Sequence, residues 1–193
     1  SAKLSRLSSI LLISLTRTDI IGVILAAPVS NRIGKKRTFA ASMLLAVILS
    51  IVFFWFEKDD LTWIFLFQCL ISICAGCIFP LLWSMYADCA DYSELRTGNR
   101  ATGLIFSASS MSQKFGWAIG TAVTGWLLSF FGFQPNAEQS PETIQGIKMF
   151  LSWLPAAAAF ISVLFIVLYP LSERKTKEIM EKLNLKRAAK TNE

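Results

Sequence analysis

Residues 61–87 read LTWIFLFQCLISICAGCIFPLLWSMYA and contain no charged side chain. An α-helix needs about 20 apolar residues to cross the roughly 30 Å hydrocarbon core of a bilayer, so this stretch is long enough to span a membrane. Lipid offers no hydrogen-bond partner to the backbone, which restricts such a segment to a helix. The stretch therefore predicts a transmembrane helix.

Four more apolar stretches of similar length flank it. Short connections that contain glycine, asparagine, proline and acidic residues separate them, as in loops between antiparallel helices. The sequence thus predicts an all-α membrane protein in which residues 1–171 form a helix bundle and residues 172–193 form a cytosolic amphipathic tail. The five predicted spans cover residues 7–29, 38–56, 61–87, 102–133 and 149–171.

The composition excludes much soluble-enzyme chemistry. Of the 193 residues, 54% are apolar and only 17% are charged, and the mean hydropathy is +0.53. The chain has no histidine, which removes the commonest general base, the Ser-His-Asp and Cys-His nucleophile systems and most zinc sites. The net charge of +6 lies in clusters between the apolar stretches, a pattern that does not indicate a nucleic-acid partner.

Cys74 and Cys77 form a C-A-G-C pair, the spacing of some redox and metal sites. The pair lies inside an apolar stretch without a second pair and without histidine. We interpret the two cysteines as small packing residues and predict no metal site.

Basic residues are distributed unequally between the two faces of the predicted bundle. Thirteen Lys and Arg residues fall in the tail and in the loops after the first and third spans, whereas four fall on the opposite face. Loops rich in Lys and Arg stay in the cytosol during insertion. We therefore predict a cytosolic carboxyl terminus and an amino terminus outside. The four residues on the opposite face are Lys3, Arg6, Lys58 and Lys148.

Three ionisable residues lie within predicted spans: Arg17, Asp19 and Lys114. Each costs about 2.5–3.5 kcal/mol at mid-membrane, so each should face the bundle interior or a watery cavity. Arg17 and Asp19 are two residues apart and point in different directions on a helix, so we do not expect a direct pair. Lys114 follows small and hydroxyl residues that include Ser110, which favours a substrate or counter-ion role.

The third span ends in an acidic row, which we define as Asp88, Asp91 and Glu94. The spacing of three places them on one helical face near the cytosolic boundary. Like charges this close repel unless cations compensate, and the available cations are Arg96, Arg100 and the basic cluster at residues 32–37. A solvated helix end that anchors the span is the alternative interpretation.

Other features of the spans allow both packing and function. Pro80 permits a kink in the third span. Phe79 and Trp83 can stack on a sugar ring or fill apolar space. Gly116 and Gly120 form a G-x-x-x-G pair, which predicts close helix packing.

The tail places Ile179, Met180 and Leu183 at helical spacing among Lys and Arg. This pattern is typical of a short amphipathic helix against the inner leaflet. A solvated helix without a role is the alternative.

Several stretches together carry a family resemblance. Residues 87–100 read ADCADYSELRTGNR, and QKFG at 113–116 and Gly125-Trp126 follow. These residues resemble the glycoside-pentoside-hexuronide:cation symporters, the melibiose-carrier group of the major facilitator superfamily. The loop PVSNRIGKKR at 28–37 is similar to the basic loop after the second helix of a facilitator half. The resemblance covers about residues 15–183.

This resemblance implies five transmembrane helices similar to helices eight to twelve of a twelve-helix transporter in the inner membrane of a bacterium. The implied activity is secondary active transport of a sugar or glycoside coupled to Na⁺ or H⁺ by alternating access between two halves, without enzyme activity and without a cofactor. The coupling cation would be held mainly by the amino-terminal half, which is absent from this sequence. That half, the sugar and the lipid bilayer are the implied partners.

The resemblance also implies roles for individual residues. Asp88, Asp91 and Arg100 correspond to an ion-pair network that opens and closes the cytosolic gate. Lys114 matches a family lysine near the central cavity. Phe79 falls where the melibiose carrier has a sugar-stacking tryptophan, and Trp83 is one turn on. With Lys114 and Ser110, these two aromatic residues are the candidate substrate-binding set.

Two other classes of function stay open at this point. Asp88, Asp91 and Arg96 match part of the D-x-x-D-G-x-x-A-R pattern of lipid head-group transferases, but Tyr92 and Leu95 replace its glycine and alanine. Only two of the four carboxylates that would hold a divalent metal remain. A non-transporting membrane scaffold is the third possibility, since one half of a transporter has only one wall of the cavity.

Overall fold

The computed structural model describes residues 2–56, 61–135, 137 and 139–191, with the side chains of 17–56, 62–135, 137 and 139–189. Within these residues there are six α-helices and no strand, which confirms the all-α prediction. Lys58 and the side chains of Lys3 and Arg6 lie outside the described part. The helices are α1 (Ala2–Ile33), α2 (Lys35–Phe53), α3 (Leu61–Thr97), α4 (Thr102–Phe130), α5 (Pro141–Leu168) and α6 (Glu173–Thr191).

A helix lies in each of the five predicted spans, but α2, α4 and α5 end three residues before the predicted ends at 56, 133 and 171, and other ends extend beyond the prediction. α3 continues past Ala87 to Thr97, where Gly98 ends it with a φ of 78°. α5 begins at Pro141, because the Ser140 hydroxyl accepts a hydrogen bond from the Thr143 backbone N–H at 3.1 Å and caps the first turn. The apolar stretches are thus extended by polar helical ends that hydropathy does not reveal.

Three helices of the described part are long and apolar enough to cross a membrane: α2, residues Thr62–Thr97 of α3, and α5. The structure therefore does not confirm five spans. α4 carries Gln113 and Lys114 among several Ser and Thr residues, which lowers its hydropathy. In α1, the described side chains begin only at Arg17.

α1 and α3 cross with their backbones in direct contact. A Cβ added at Gly22 of α1 would overlap the Ile73 carbonyl, and one added at Gly76 of α3 would overlap the Asp19 carbonyl. Small residues allow this approach, which maximises van der Waals packing where lipid supplies no hydrophobic driving force between helices. α3 also contacts α2, α4 and α6, and α2 contacts α5. α3 is therefore the central helix of the described bundle.

The cysteine pair lies beside this crossing. Cys74 and Cys77 are buried and have free thiols, and the Cys77 thiol donates a hydrogen bond to the Gly22 carbonyl at 2.9 Å. Their packing role is confirmed. Gly116 and Gly120, by contrast, have no described atom within 4 Å of an added Cβ. The close packing predicted for these two glycines is therefore not seen within the described chain.

α6 packs against the polar extension of α3. Ile179 and Leu183 are only 8% and 3% exposed and form a cluster with Leu171, whereas Met180 stays exposed. Ile179 and Leu183 therefore pack on protein, which contradicts for these two residues both the helix against the inner leaflet and the solvated helix. The extension of α3 beyond the apolar stretch supplies a protein surface for them. The residues that pack on this cluster are Cys89, Leu95 and Tyr169.

Candidate transport site

The acidic row on α3 is neutralised by cations from three other parts of the chain. Lys35, at the start of α2, places its Nζ 2.8 Å from both carboxylate oxygens of Asp88. The Asp88 side chain is 12% exposed and the Lys35 side chain 29%. Both side chains are therefore poorly hydrated. Removing either one would leave the other charge partly buried without a partner.

Arg100 forms an ion pair with Asp91, the second carboxylate of the row. Its Nη2 lies 2.8 Å from Asp91 Oδ1, and its Nε lies 3.7 Å from Glu94 Oε2. The turn at Gly98 makes this possible, because the chain reverses there and brings Arg100 back along α3. The Gly98 N–H donates to the Glu94 carbonyl at 2.9 Å, as in a helix C-cap.

Arg187 of α6 forms an ion pair with Glu94, the third carboxylate of the row. It donates from Nη2 to Glu94 Oε2 at 2.6 Å and from Nε to Oε1 at 3.3 Å. This is the two-pronged arrangement that a guanidinium forms with a carboxylate. The hydrogen bond with Glu94 raises the pKa of the Arg187 guanidinium above its usual value.

The start of α2 is fixed by contacts that hold Lys35 in reach of Asp88. Gly34 adopts a φ of 98°, which glycine tolerates because it has no side chain. The Lys35 backbone N–H donates to Glu173 Oε1 of α6 at 2.7 Å. Lys36 donates to the carbonyls of Val167 and Tyr169 at the end of α5, at 3.0 Å and 2.7 Å. Three helix ends therefore meet beside the first ion pair.

Three aromatic side chains pack between α3 and α4, on the amino-terminal side of the acidic row along α3. The rings of Trp83 and Phe106 lie 5.5 Å apart at 32°, and Tyr86 lies edge-on to both at 6.0 Å and 6.3 Å. Trp83 is thus partly used for packing between the two helices. Phe79, one turn earlier on α3, is 51% exposed and makes no ring contact among the described residues.

Ser110 and Lys114 lie on the same side of α4 as Phe106, at intervals of four residues. Ser110 is half-buried and Lys114 is exposed. Among the described residues, no hydrogen bond or ion pair reaches Lys114, and α4 has no buried residue. α4 therefore presents Lys114 on an open face.

Arg17 and Asp19 sit on α1, where Asp19 contributes its backbone to the crossing with α3. Arg17 is exposed and Asp19 is half-buried. No ion pair joins the two among the described side chains.

The acidic row and Lys114 lie at different depths. A helix rises about 1.5 Å per residue, so Lys114 lies roughly 20 Å from Arg100 along α4. The row can make and break ion pairs near one end of the bundle. Lys114, with its three donors, can bind hydroxyl or carboxylate oxygens further in.

Residues 5–173 match the family described as MFS/sugar transport protein. The chain belongs to this family.

Individual relatives are transporters of sugars or glycosides. The glucuronide carrier protein homolog of Escherichia coli (strain K12) is 32% identical over 170 residues, which is 86% of this chain and 37% of the relative. The isoprimeverose transporter of Lactiplantibacillus pentosus is 30% identical over 171 residues, 88% of this chain and 36% of the relative. A protein of Escherichia coli (strain K12) assigned provisionally as the glycoside/cation symporter YagG is 28% identical over 169 residues, 87% of this chain and 37% of the relative.

The chain spans just over a third of the length of these relatives. The family and the relatives are transporters and not enzymes, in agreement with the expectation that the chain is no enzyme. Together with the apolar helices, the family also confirms a membrane protein.

Sequence reasoning found the row but not all of its partners. The expected network of Asp88, Asp91 and Arg100 includes one pair that the structure shows, Arg100 with Asp91. Asp88 pairs with Lys35, a member of the basic cluster that the sequence offered as a source of cations.

Arg187 was missed entirely. It follows Ile179 and Leu183 at intervals of four residues, so all three lie on one face of α6. That spacing would have pointed to Arg187 once the apolar face was known to pack on α3.

Proposed function

We propose that this chain is the carboxyl-terminal part of a transporter that moves a sugar or glycoside together with Na⁺ or H⁺ by alternating access. Its five predicted spans would correspond to helices eight to twelve, and an amino-terminal half outside this sequence would supply the other wall of the pathway. The observation that carries the proposal is the match over residues 5–173 to the MFS/sugar transport protein family.

The similarity to relatives of greater length supports the division into two halves. Each relative extends well beyond the part that this chain matches. The open face of α4, with Lys114 exposed and no residue buried, fits a helix that faces a second bundle. An exposed ammonium in lipid would be costly, whereas one in a shared watery pathway is not.

The proposed orientation follows from the basic residues. The acidic row, its cations and α6 would lie in the cytosol, with the protein in the inner membrane of a bacterium. The excess of Lys and Arg in the loops and tail on that side supports this placement.

In this proposal the acidic row is part of the inner gate. Its ion pairs join α3 to α2, to the loop before α4 and to α6. Such pairs form one of two discrete arrangements, and breaking them lets the helix ends separate, which is how rigid-body rocking opens one side. The gate would therefore affect the rate of turnover more than sugar binding.

The coupling cation would be bound mainly by the other half. Each carboxylate of the row already has a Lys or Arg partner within 2.8 Å. A carboxylate neutralised in this way has little remaining attraction for Na⁺. This supports a cation site outside the acidic row.

The sugar site would include Lys114 and Ser110 on α4 and Phe79 and Trp83 on α3. α3 and α4 run antiparallel, since Arg100 meets Asp91 while Phe106 meets Trp83. Continuing at the helical rise places Ser110 near the level of Phe79. Hydroxyl, ammonium and aromatic groups at one level are the set that a sugar ring needs.

The test is uptake of labelled glycosides, including glucuronides and pentose-containing disaccharides, by cells or vesicles that contain the full-length protein. Imposed Na⁺ and H⁺ gradients are compared. We expect one gradient to drive accumulation and Lys114→Gln to reduce it at least tenfold. Lys186→Gln, which removes the same charge from the exposed part of α6, should leave uptake within twofold.

Uptake that ignores both gradients would refute cation coupling. Equal uptake by the Lys114→Gln and Lys186→Gln variants would remove Lys114 from the sugar site. Metal-dependent transfer of a lipid head group by the purified protein would restore the enzyme alternative.

A further inference from the structure

A cavity of about 300 Å³ lies between the start of α2 and the start of α6. Its walls include Lys36 and Arg37 from α2 and Ser172, Glu173 and Arg174 from the other side. We call it the basic cavity. No residue of the acidic row or of the proposed sugar site lines it, although Lys36 and Glu173 also fix the start of α2 beside Lys35.

Three cations and one anion line the basic cavity. The Glu173 carboxylate is already engaged, because its Oε1 accepts the Lys35 backbone N–H at 2.7 Å and its side chain packs on Gly34. Arg37 is exposed and makes no hydrogen bond or ion pair with the described side chains. The cavity therefore has an excess of positive charge, with one guanidinium available to bind an oxyanion through two N–H groups.

The basic cavity lies beside one end of α2 and one end of α5, and both helices are long and apolar enough to span a membrane. Lys36 binds the Val167 and Tyr169 carbonyls, so the cavity sits where α5 ends. The side chains beside this point are apolar and exposed: Ile33 is 52%, Val167 62% and Leu168 76% exposed. In a bilayer crossed by α2 and α5, the cationic cavity would lie at the level of the lipid head groups, and the apolar surface beside it would lie at the level of the acyl chains.

We propose that the basic cavity binds the phosphate of an anionic phospholipid whose acyl chains lie along the exposed end of α5. Arg37 would hold the phosphate oxygens. Arg174, whose Nε also donates to Glu178 Oε1 at 3.2 Å, would contribute through its remaining N–H groups, and Lys36 would add charge while it binds the end of α5. Basic groups at a membrane surface attract anionic lipid with about 1 kcal/mol each. The exposed apolar residues favour a lipid over free phosphate, because phosphate alone would gain nothing from them.

Native mass spectrometry of the full-length protein in detergent provides the first test. Phosphatidylglycerol is titrated against phosphatidylcholine with the same acyl chains, and inorganic phosphate is added as a competitor. We expect phosphatidylglycerol to bind at least tenfold more tightly than phosphatidylcholine, and millimolar phosphate to displace little of it. Equal binding of the two lipids, or full displacement by phosphate, would overturn the proposal.

A double variant tests the location. Arg37→Gln with Arg174→Gln should weaken phosphatidylglycerol binding about 30-fold, as expected for two lost cations. The matched control, Lys177→Gln with Lys186→Gln, removes two exposed charges of α6 outside the cavity and should change binding less than twofold. An equal loss in both double variants would show diffuse charge attraction and contradict a site.

A second measurement avoids substitution altogether. A photoactivatable phosphatidylglycerol analogue is cross-linked to the unaltered protein, and the attached peptides are identified by mass spectrometry. We expect head-group cross-links within residues 33–37 or 172–174. Cross-links confined to other parts of the chain would refute the site even if the double variant failed to fold.

Discussion

Arg187 on α6 donates two hydrogen bonds, of 2.6 Å and 3.3 Å, to the carboxylate of Glu94 on α3, although the two residues are 93 positions apart in sequence. Arg100 approaches the same carboxylate at 3.7 Å. Glu94 is therefore shared between the loop before α4 and the tail. An exposed pair alone is worth only about 0.2–1 kcal/mol, so the buried residues of α6 must supply most of the attachment.

Leu183→Ala tests how α6 is attached. Leu183 is almost fully buried against α3, and truncating a buried leucine costs about 2–5 kcal/mol. We expect amide hydrogen exchange in residues 173–189 to accelerate about 30-fold or more, with α3 before Ala87 unchanged. The control Leu185→Ala removes the same atoms from a side chain that is 67% exposed, and should leave exchange within threefold. Equal acceleration in both variants would show that α6 is held by something other than this apolar contact.

The pair of Lys35 and Asp88 should show energetic coupling. Lys35→Gln leaves a poorly hydrated carboxylate and Asp88→Asn leaves a poorly hydrated ammonium, so each single change should lower the free energy of unfolding by about 1–2 kcal/mol. In the double variant both charges are gone, and the loss should be smaller than the sum by at least about 0.5 kcal/mol. Thermal unfolding in detergent measures all four proteins. Strict additivity would mean that the 2.8 Å contact carries no net interaction.

The pair of Asp91 and Arg100 should affect transport kinetics more than binding. Asp91→Asn and Arg100→Gln each remove one partner of the same contact, and we expect each to slow turnover by a similar factor, about tenfold. The Kd for sugar should change less than threefold, because the sugar site is roughly 20 Å away along α4. Stopped-flow uptake and equilibrium binding separate the two quantities. Parallel losses of binding and transport would argue against a gate.

Much of this architecture could be predicted from sequence because hydropathy and helical spacing are local properties. The uncharged stretch at 61–87 predicted the helix that proved central. The interval of three residues predicted that Asp88, Asp91 and Glu94 lie on one face. The cysteine pair could be assigned to packing because nothing near it in sequence offered a ligand set. Each of these conclusions needed only residues within one helix.

What sequence reasoning missed depends on contacts between distant segments. Lys35 was one of several basic residues that could have paired with Asp88, and only the fold of the α2 start selects it. α6 was expected either against the inner leaflet or in solvent, because the pattern of an amphipathic helix does not show which surface covers its apolar face. The tight crossing was expected at Gly116 and Gly120 but lies at Gly22 and Gly76, since glycine spacing alone does not identify the partner helix.

The crossing of α1 and α3 should be the least tolerant point of the described bundle. A methyl group at Gly22 or Gly76 would overlap a backbone carbonyl that cannot move without shifting a whole helix. We therefore expect Gly22→Ala and Gly76→Ala each to destabilise the full-length protein by about 1–3 kcal/mol, the usual cost of overpacking. Thermal unfolding in detergent gives the comparison, with fluorescence-detected size exclusion as a check on assembly.

Gly103→Ala is the matched control, because a Cβ there meets no described atom within 4 Å. In the first turn of α4, alanine also has a higher helix propensity than glycine by about 1 kcal/mol. Stability should therefore be unchanged or slightly increased. If Gly22→Ala and Gly76→Ala behave like this control, the two helices do not approach with their backbones in contact, and the placement of α1 against α3 is wrong.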